Sequence, residues 1–379
     1  MKIIIGSVTY PLANGVTTSI NTSVDGFVAA GHKVVIVAPR YDGLGKIRPE
    51  HFPVSSSEIG RWFMSALHKK ERLFSVTSAG EEIEKIVQDF KPDAFWLHTL
   101  TWAPNAFEKA MLKSDRPNVL TYHTLVEDYG RAYAGEIGAW RMRTRSRDVA
   151  SIMDAVIVPS QVIAKRLSLY GVRKNMDVIP TGIHIPETAY TKREIAERFH
   201  FPADTNLLLY VGRVSREKNI VKLIQMTQPL LQDQKTVLLL VGPGDLVETQ
   251  DQAEKWGVAR QVICSGALPK EDTQKIYGAA DAFVFASQTE TQGLVIGEAM
   301  LAGTPVVALY SPIQPEVYPD NVAVVVHDPR QFANSVKELL ANESHQKILT
   351  TKAKEFVEDN FSINGMITKQ IALFERLVK

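Results

Sequence analysis

The sequence is poor in cysteine, in long apolar runs and in the glycine motif of dinucleotide-dependent enzymes. Its 379 residues contain one cysteine, Cys264, which excludes a disulfide within the chain and any site built from several cysteines. No run approaches the roughly 18–20 apolar residues that a membrane-spanning helix requires. No Gly-x-Gly-x-x-Gly follows a predicted strand, so a nicotinamide-dependent dehydrogenase is disfavoured.

The amino-terminal segment and the charge distribution indicate the expected location of the protein and the kind of surface it meets. The segment MKIIIGSVTYP has one lysine and a short apolar run without a small-residue cleavage site, so we interpret it as a buried strand and expect a cytoplasmic protein. The net charge of +1 conceals an asymmetry, because residues 1–180 carry +5 and the remainder carries −4. A basic half is typical of a surface that meets an anionic partner.

Short apolar runs alternate with helical segments along the whole chain. The predicted strands of the first half are residues 2–7, 32–38, 94–98, 118–123 and 155–159. After Pro180-Thr181-Gly182 the pattern restarts, with strands at residues 207–211, 237–241, 262–265, 282–285, 305–309 and 322–326. Because apolar strands without alternation indicate parallel sheets covered on both faces, the sequence predicts an α/β protein with two doubly wound, Rossmann-like domains.

The domain boundaries follow from the restart of the pattern. We predict an amino-terminal domain over residues 1–183 and a carboxyl-terminal domain over residues 184–355. A last helical segment, residues 356–379, is expected to pack back on the first domain. Two domains also suit the length, since domains cluster at roughly 100–200 residues.

A basic loop follows the first strand of the second domain. It reads Gly212-Arg213-Val214-Ser215-Arg216-Glu217-Lys218. Ligands of open α/β sheets bind beyond the carboxyl ends of the strands, and an arginine fork beside a mobile lysine suits a diphosphate. A solvated loop after a strand would look the same, so the residues alone leave both interpretations open.

The segment 287–299 carries the sharpest signal. It holds Glu290 and Glu298 on either side of Gly293, where we expect a helix to begin. Exposed amides at a helix start form an anion site, and a glycine there lets a phosphate come close. Glu298 would lie more than one turn into the helix, where it can accept both hydroxyls of a ribose. A polar loop before a helix is the alternative.

These motifs together resemble retaining glycosyltransferase family 4, which has the GT-B fold. The resemblance covers almost the whole chain and includes the run Ala302-Gly303-Thr304-Pro305-Val306-Val307-Ala308. It implies that two Rossmann-like domains face each other across a cleft and that a hexose is transferred from a nucleotide sugar. One departure is Tyr310-Ser311-Pro312, which stands where many members have a pair of glycines.

The resemblance assigns roles to individual residues. It implies that Arg213 and Lys218 bind the diphosphate, that Glu298 holds the ribose, and that the base meets backbone near Leu268. The donor-binding residues implied in this way are Gly15, Arg213, Lys218, Leu268, Gly293, Leu294, Val295 and Glu298. Gly15 follows the first strand in an Asn-Gly turn, which without the resemblance would be an ordinary structural turn.

His123 and Glu290 are the candidate catalytic residues. A lone histidine at a strand end is more often a packed residue, but the family has a histidine there that faces the donor sugar, and Glu290 matches the glutamate beside that sugar. The family is thought to use the leaving phosphate as the base, so we assign none. Because no Asp-x-Asp lies near the predicted site, we expect no cofactor and no essential metal.

The residues that follow His123 point to an acceptor. The run Tyr122-His123-Thr124-Leu125-Val126-Glu127-Asp128-Tyr129 is similar to one in the bacterial diacylglycerol glucosyltransferases of this family. That similarity implies UDP-glucose as the donor and a lipid as the acceptor, with Glu127 and Tyr129 on the acceptor side. The continuation Gly130-Arg131-Ala132-Tyr133 departs from the more aromatic, histidine-containing run of those enzymes.

A basic and aromatic segment, residues 59–73, could meet a membrane. Trp62 and Phe63 interleave there with Lys69 and Lys70, a composition that suits the surface of an anionic bilayer, and the arginines of residues 141–147 could add to it. A peripheral position on the cytoplasmic face of the membrane would follow. An amphipathic helix with a solvated face is the other interpretation, and we expect no nucleic-acid partner.

Two other functions remain open from the sequence. One is a family 4 mannosyl- or N-acetylhexosaminyltransferase that acts on an inositol lipid or a soluble sugar. The other is a non-catalytic protein that binds a nucleotide sugar or a lipid on the same scaffold. The presence of Arg213, Lys218, Glu290 and Glu298 disfavours this second alternative.

Overall fold

The computed structural model describes residues 1–12, 14–41, 46–57, 73–74, 78–101, 103–123 and 125–379. The chain forms two compact units: Met1–Gly182 together with Ile363–Lys379, and Ile183–Ser362. The first unit is therefore built from both ends of the chain. Within the described residues, no helix has the length and apolar character needed to cross a bilayer.

A seven-stranded parallel sheet forms the centre of the first unit, in the order β3-β2-β1-β6-β7-β8-β9. Its strands are β1 (Lys2–Gly6), β2 (Lys33–Pro39), β3 (His51–Val54), β6 (Ala94–Leu97), β7 (Asn118–Thr121), β8 (Ala155–Val158) and β9 (Asp177–Val178). A separate antiparallel pair joins β4 (Ser56–Ser57) to β5 (Leu73–Phe74). The strand order reverses between β1 and β6, which is where such sheets bind ligands.

Both faces of this sheet are buried. Ile3 and Ile5 pack in one apolar cluster and Ile4 in another, because successive side chains of a strand point to opposite faces. The helices that cover the faces are α1 (Gly15–Ala29), α2 (Ser78–Phe90), α3 (Ala106–Leu112), α4 (Val126–Ile152), α5 (Gln161–Leu169) and α14 (Ile363–Val378). The uninterrupted apolar runs in the sequence predicted strands that are buried on both faces, and the structure has them.

The second unit holds a six-stranded parallel sheet in the order β12-β11-β10-β13-β14-β15. Its strands are β10 (Asn206–Val211), β11 (Thr236–Val241), β12 (Val262–Gly266), β13 (Ala282–Phe285), β14 (Val306–Leu309) and β15 (Val324–Val326). Its helices are α6 (Lys192–Phe199), α7 (Ile220–Leu231), α8 (Leu246–Lys255), α9 (Lys270–Ile276), α10 (Leu294–Leu301), α11 (Gln314–Val317), α12 (Phe332–Leu340) and α13 (Glu343–Asn360). This is the strand order of a dinucleotide-binding Rossmann fold.

The prediction of two doubly wound α/β domains is confirmed, with corrections in detail. β6 and β7 end at Leu97 and Thr121, so the histidines that were predicted as their last residues lie just beyond them. The last segment joins the first unit from Ile363 rather than from residue 356. The reason is that α13 continues to Asn360, and Phe361 is buried against Phe356 of that helix.

Candidate active site

Four of the predicted site residues lie at one edge of the second unit. Arg213 and Lys218 follow β10, while Glu290 and Glu298 follow β13. β10 and β13 are neighbours at the point where the strand order reverses, with Leu208 opposite Ala282. Parallel strands present their carboxyl ends at the same edge, so the topology brings these segments together.

Glycines let two loops pack closely beside Arg213. Gly212 has φ +143°, and the Tyr210 hydroxyl donates a hydrogen bond to the carbonyl oxygen of Arg213 at 3.0 Å. The amide of Val214 donates to the next loop, at the carbonyl of Pro243. A Cβ on Gly244 would lie 1.9 Å from the Val214 oxygen, so no larger residue fits. The Arg213 backbone is therefore fixed from two sides.

Lys218 and Glu290 form an ion pair. The Nζ of Lys218 lies 2.6 Å from the Oε1 of Glu290, and each side chain is 16% exposed. Lys218 ends a single 3-10 turn, Arg216–Lys218, that precedes α7. An ammonium and a carboxylate at this distance hold each other in place. Because each side chain is still 16% exposed, part of both groups remains accessible to solvent.

Two further hydrogen bonds join the Lys218 loop to the Glu290 loop. Asn219 adopts the left-handed conformation with φ 57°, and its side-chain amide donates to the Ala286 carbonyl at 3.0 Å. The Thr289 hydroxyl donates to the Glu217 carbonyl at 3.1 Å. The Oε1 of Glu217 in turn lies 3.8 Å from a guanidinium nitrogen of Arg213. The basic loop and the acidic loop are thus one connected structure.

The start of α10 has the features of an anion site. Gly293 is its N-cap with φ 69°, and no side-chain hydrogen bond caps the helix. The first turn contains no acidic residue, so the amides at Leu294 and Val295 keep the positive end of the helix dipole. Gly293, Leu294 and Val295 are therefore placed as an anion site requires.

Glu298 is oriented by a buried tyrosine. It lies within α10, and the Tyr277 hydroxyl donates to its Oε2 at 2.7 Å. Burial raises the pKa of Glu298, whereas the Tyr277 hydrogen bond and the charge of Lys270 lower it. Leu268 lies two residues beyond β12 and is partly buried, and its carbonyl accepts from Thr273.

In the first unit, Gly15 opens helix α1 and is exposed. The side chain of the preceding Asn14 accepts from the Thr17 amide at 2.9 Å, which caps the helix. Gly15 thus lies at a helix start at the carboxyl edge of β1, and its role toward a donor stays a prediction.

His123 lies two residues beyond β7 and is paired with a second histidine. Its Nε2 is 2.8 Å from the Nδ1 of His98, and the two rings stack with centroids 5.0 Å apart. Burial lowers the pKa of His123 to about 4 and the pKa of His98 well below its ordinary value. Both imidazoles are therefore neutral at pH 7.

The residues predicted to meet the acceptor divide into three groups. Glu127, in the first turn of α4, is buried, and its Oε1 lies 2.7 Å from the Nε of Arg166. Tyr129 lies on the same helix, and its side chain is outside the described residues. The remaining residues, which also lie outside the described chain, are Trp62, Phe63, Lys69 and Lys70.

The arginines of residues 141–147 do not all reach the surface. Arg145 points inward, where it pairs with the buried Glu108 and donates to the Thr101 carbonyl at 3.1 Å. Its charge is neutralised inside the unit, so the expectation that all four add to a basic surface is wrong for Arg145. Arg147 is exposed beside Asp148.

Sequence reasoning missed His98, Glu217 and Tyr277. His98 ends the run AFWLH as His123 ends NVLTYH, and adjacent parallel strands carry both to the same edge. That parallel was readable in the sequence. Tyr277 carried no such signal, because its partner Glu298 is 21 residues away.

Comparisons with known proteins identify the family of the chain. Residues 13–186 match the model described as "Glycosyltransferase Family 4", and residues 191–356 match "Glycosyl transferases group 1". An alpha-monoglucosyldiacylglycerol synthase of Streptococcus pneumoniae is 28% identical, over 93% of this chain and 81% of its own. A D-inositol 3-phosphate glycosyltransferase of Xylanimonas cellulosilytica is 29% identical over 68% of this chain and 66% of its own.

A solved structure shows the same fold. The Anabaena protein HepE in complex with UDP-glucose superposes with a TM-score of 0.78 at 16% identity, over the full length of both chains. The fold and the family matches together define a glycosyltransferase with the GT-B fold. The chain belongs to glycosyltransferase family 4, and it is a transferase rather than a non-catalytic binding protein.

Proposed function

We propose that this protein transfers a hexose, with retention, from UDP-glucose to a membrane lipid such as diacylglycerol. The observation that carries the proposal is the Lys218–Glu290 pair beside the uncapped start of α10. Cationic groups and free amides suit a diphosphate, and a carboxylate at the same edge suits the hydroxyls of a sugar. UDP-glucose as the donor is supported by its presence in HepE, which shares the fold.

The proposed chemistry depends on charge that develops on the leaving group. As the bond between the anomeric carbon and the diphosphate breaks, negative charge grows on the phosphate oxygens. Arg213, Lys218 and the α10 amides would stabilise that charge more strongly in the transition state than in the ground state. The acceptor oxygen would bond to the same face of the anomeric carbon and give its proton to a phosphate oxygen.

The sugar would be held by His123 and Glu290, and the ribose by Glu298. Because cations of the protein itself face the diphosphate in this proposal, the reaction requires no metal. Turnover in excess EDTA should therefore equal turnover without it. A loss in EDTA that added Mg²⁺ restores would contradict this part of the proposal.

A lipid acceptor is supported by the relatives and by one surface. The Streptococcus pneumoniae relative is named for a glucosyldiacylglycerol product. On α4, Ile137 and Trp140 are 79% and 62% exposed, three residues apart, so they share one face of the helix. Apolar side chains on a helix that also carries Arg141 and Arg143 suit an anionic bilayer, at which we place the protein peripherally on the cytoplasmic face.

A second candidate is a family 4 transferase that acts on an inositol phosphate or an inositol lipid. The Xylanimonas cellulosilytica relative favours it, since its name states D-inositol 3-phosphate as the acceptor. The donor site would be the same, and the acceptor and the sugar would differ.

One experiment separates these candidates. The protein is incubated with UDP-glucose, UDP-galactose, UDP-N-acetylglucosamine or GDP-mannose over vesicles that contain diacylglycerol, and in parallel with inositol 3-phosphate. Mass spectrometry identifies the product, and NMR of the anomeric proton gives its configuration. We expect an α-glucosyl lipid from UDP-glucose; a product only with inositol phosphate would move the proposal to the second candidate.

A further inference from the structure

His98 is a buried histidine that the proposed function does not use. It follows β6 directly, is 1% exposed, and its backbone amide donates to the Gly6 carbonyl at 3.0 Å. Its ring packs against Trp96, with centroids 4.6 Å apart, and against His123. Its Nδ1 is the atom that meets the Nε2 of His123 at 2.8 Å.

A hydrogen bond between two neutral imidazoles requires one donor and one acceptor. Either the Nδ1–H of His98 donates to the Nε2 of His123, or the Nε2–H of His123 donates to the Nδ1 of His98. The first arrangement leaves the other nitrogen of His98, Nε2, as a lone pair. The second makes that nitrogen an N–H group.

The surroundings of the His98 Nε2 decide between the two arrangements. This atom is buried and has no hydrogen-bond partner among the described residues. Buried N–H groups without a partner are rarer in native proteins than under-satisfied acceptors. The arrangement with a lone pair on the His98 Nε2 is therefore favoured, and His98 is the donor.

We propose that His98 is a positioning residue that donates its Nδ1–H to the Nε2 of His123, so that His123 carries its own proton on Nδ1 and presents an N–H donor to a hydroxyl oxygen of the donor sugar. This proposal rests on the proposed function, in which His123 contacts the sugar. In this tautomer the Nδ1 of His123 already carries a proton and its Nε2 accepts the hydrogen bond from His98. His123 is therefore a hydrogen-bond donor toward the sugar and not a general base.

Two variants of His98 separate this role from packing. His98→Asn keeps an N–H donor on Cγ, where the imidazole carries Nδ1, and His98→Phe keeps a ring without a donor. We expect His98→Phe to lower kcat by about 10- to 100-fold, because a small misplacement of a reacting group can cost that much. His98→Asn should stay within a few-fold of the wild type. The KM for the nucleotide sugar and the affinity for UDP should change little in both.

Equal losses of kcat in the two variants, with equal melting temperatures, would assign His98 to packing alone and overturn the proposal. A second measurement needs no activity. In protein labelled with ¹⁵N-histidine, correlation spectra report which ring nitrogen carries the proton, and the His98 and His123 signals are assigned by their loss in His98→Phe and His123→Phe.

The expected result is a protonated Nδ1 on both rings. A protonated Nε2 on His123 would refute the proposal even if the enzyme is active. If the wild type transfers no sugar from any donor, the proposed function fails, while the spectra still decide the tautomer.

Discussion

Lys218 carries one of the positive charges on which the proposed reaction depends. Replacing it by alanine removes the ammonium 2.6 Å from Glu290 and, in the proposed complex, a cation from the leaving diphosphate. We expect Lys218→Ala to lower kcat about 100- to 1000-fold, the usual cost of one such stabilising contact, with the fold retained. Release of UDP measures turnover, and circular dichroism measures the fold.

A matched control for this variant is Lys235→Ala. Lys235 is exposed in the loop before β11 of the same unit, so its loss removes one positive charge away from the site. Its turnover should be that of the wild type. Near-normal turnover in both Lys218→Ala and Glu290→Ala would overturn the assignment of the donor site.

Tyr277 offers a test of how Glu298 is held. Tyr277→Phe removes the hydroxyl that donates to the Glu298 carboxylate at 2.7 Å and leaves the ring in place. If Glu298 binds the ribose, the affinity for UDP should fall about 3- to 10-fold at pH 7, since one hydrogen bond to a charged group is lost. Calorimetry measures the affinity. The affinity for 2′-deoxy-UDP, which lacks one ribose hydroxyl, should fall less.

The pH dependence of UDP binding has a predictable sign. Burial raises the pKa of Glu298, and the Tyr277 hydrogen bond lowers it. Glu298 accepts from the ribose only when it is ionised, so UDP affinity should decrease as the pH falls through its pKa. In Tyr277→Phe that pKa is higher, and the decrease should begin at a higher pH in a titration from about pH 8 to about pH 5. Superimposable profiles would argue that Tyr277 does not act through Glu298.

Site residues within a local motif could be predicted from the sequence, whereas those defined by a contact between distant elements could not. Arg213, Lys218, Gly293 and Glu298 belong to local motifs at strand and helix ends, so their placement at one edge follows from topology. The contact of Tyr277 with Glu298 joins side chains from two different elements, and propensity and periodicity carry no information about such a pair. The contact of His98 with His123 could have been inferred, because both residues follow neighbouring parallel strands.

At the scale of elements, strands were predictable and α4 was not. The apolar runs predicted both sheets, because two-sided burial leaves an uninterrupted pattern. α4 has a kink at Ala134 and Gly135, where φ is 59° at the glycine. On either side, Gly130 and Gly138 touch so closely that a Cβ on Gly138 would lie 2.2 Å from the Gly130 carbonyl oxygen. Because the kink turns a different side of the helix toward the core, the apolar residues before and after it do not share one helical period that the sequence could show.

The helix after that kink carries the surface proposed to meet the membrane. Replacing Ile137 and Trp140 together by serine removes two large exposed apolar side chains from this face. We expect the fraction of protein that sediments with anionic vesicles to decrease severalfold, because membrane affinity scales with buried apolar area. Turnover on a short-chain, water-soluble diacylglycerol should change little.

Leu169→Ser is the control for this surface. Leu169 is 85% exposed at the end of α5 in the same unit, so the substitution removes an equally exposed apolar side chain from another element. Vesicle binding should be unaffected. An equal decrease in both variants would indicate a general loss of surface hydrophobicity and would count against α4 as the membrane face.

At the scale of the whole molecule, the first unit depends on the last residues of the chain. Phe374 of α14 is fully buried, and its ring lies 5.6 Å from that of Phe27 on α1 and 4.9 Å from that of Trp96 on β6. The contact of α14 with α1 is close, since a Cβ on Gly26 would lie 2.4 Å from a side-chain atom of Ile367. The carboxyl-terminal helix is thus part of the first unit's core.

Phe374→Ala should destabilise the first unit as a whole. A large-to-small change at a buried aromatic costs about 3–5 kcal/mol, and here the loss falls on a cluster shared by α1, α14 and β6. Hydrogen exchange measures it locally: amides of β1 and β6 should exchange faster, whereas those of β10 and β11 in the second unit should not. Phe52→Ala, at a side chain 38% exposed on β3, makes the same chemical change with a smaller loss of burial than at Phe374, which is fully buried, and should leave β1 protected. If Phe374→Ala accelerates exchange in α14 alone, that helix frays without carrying the unit, and the role given to the end of the chain is wrong.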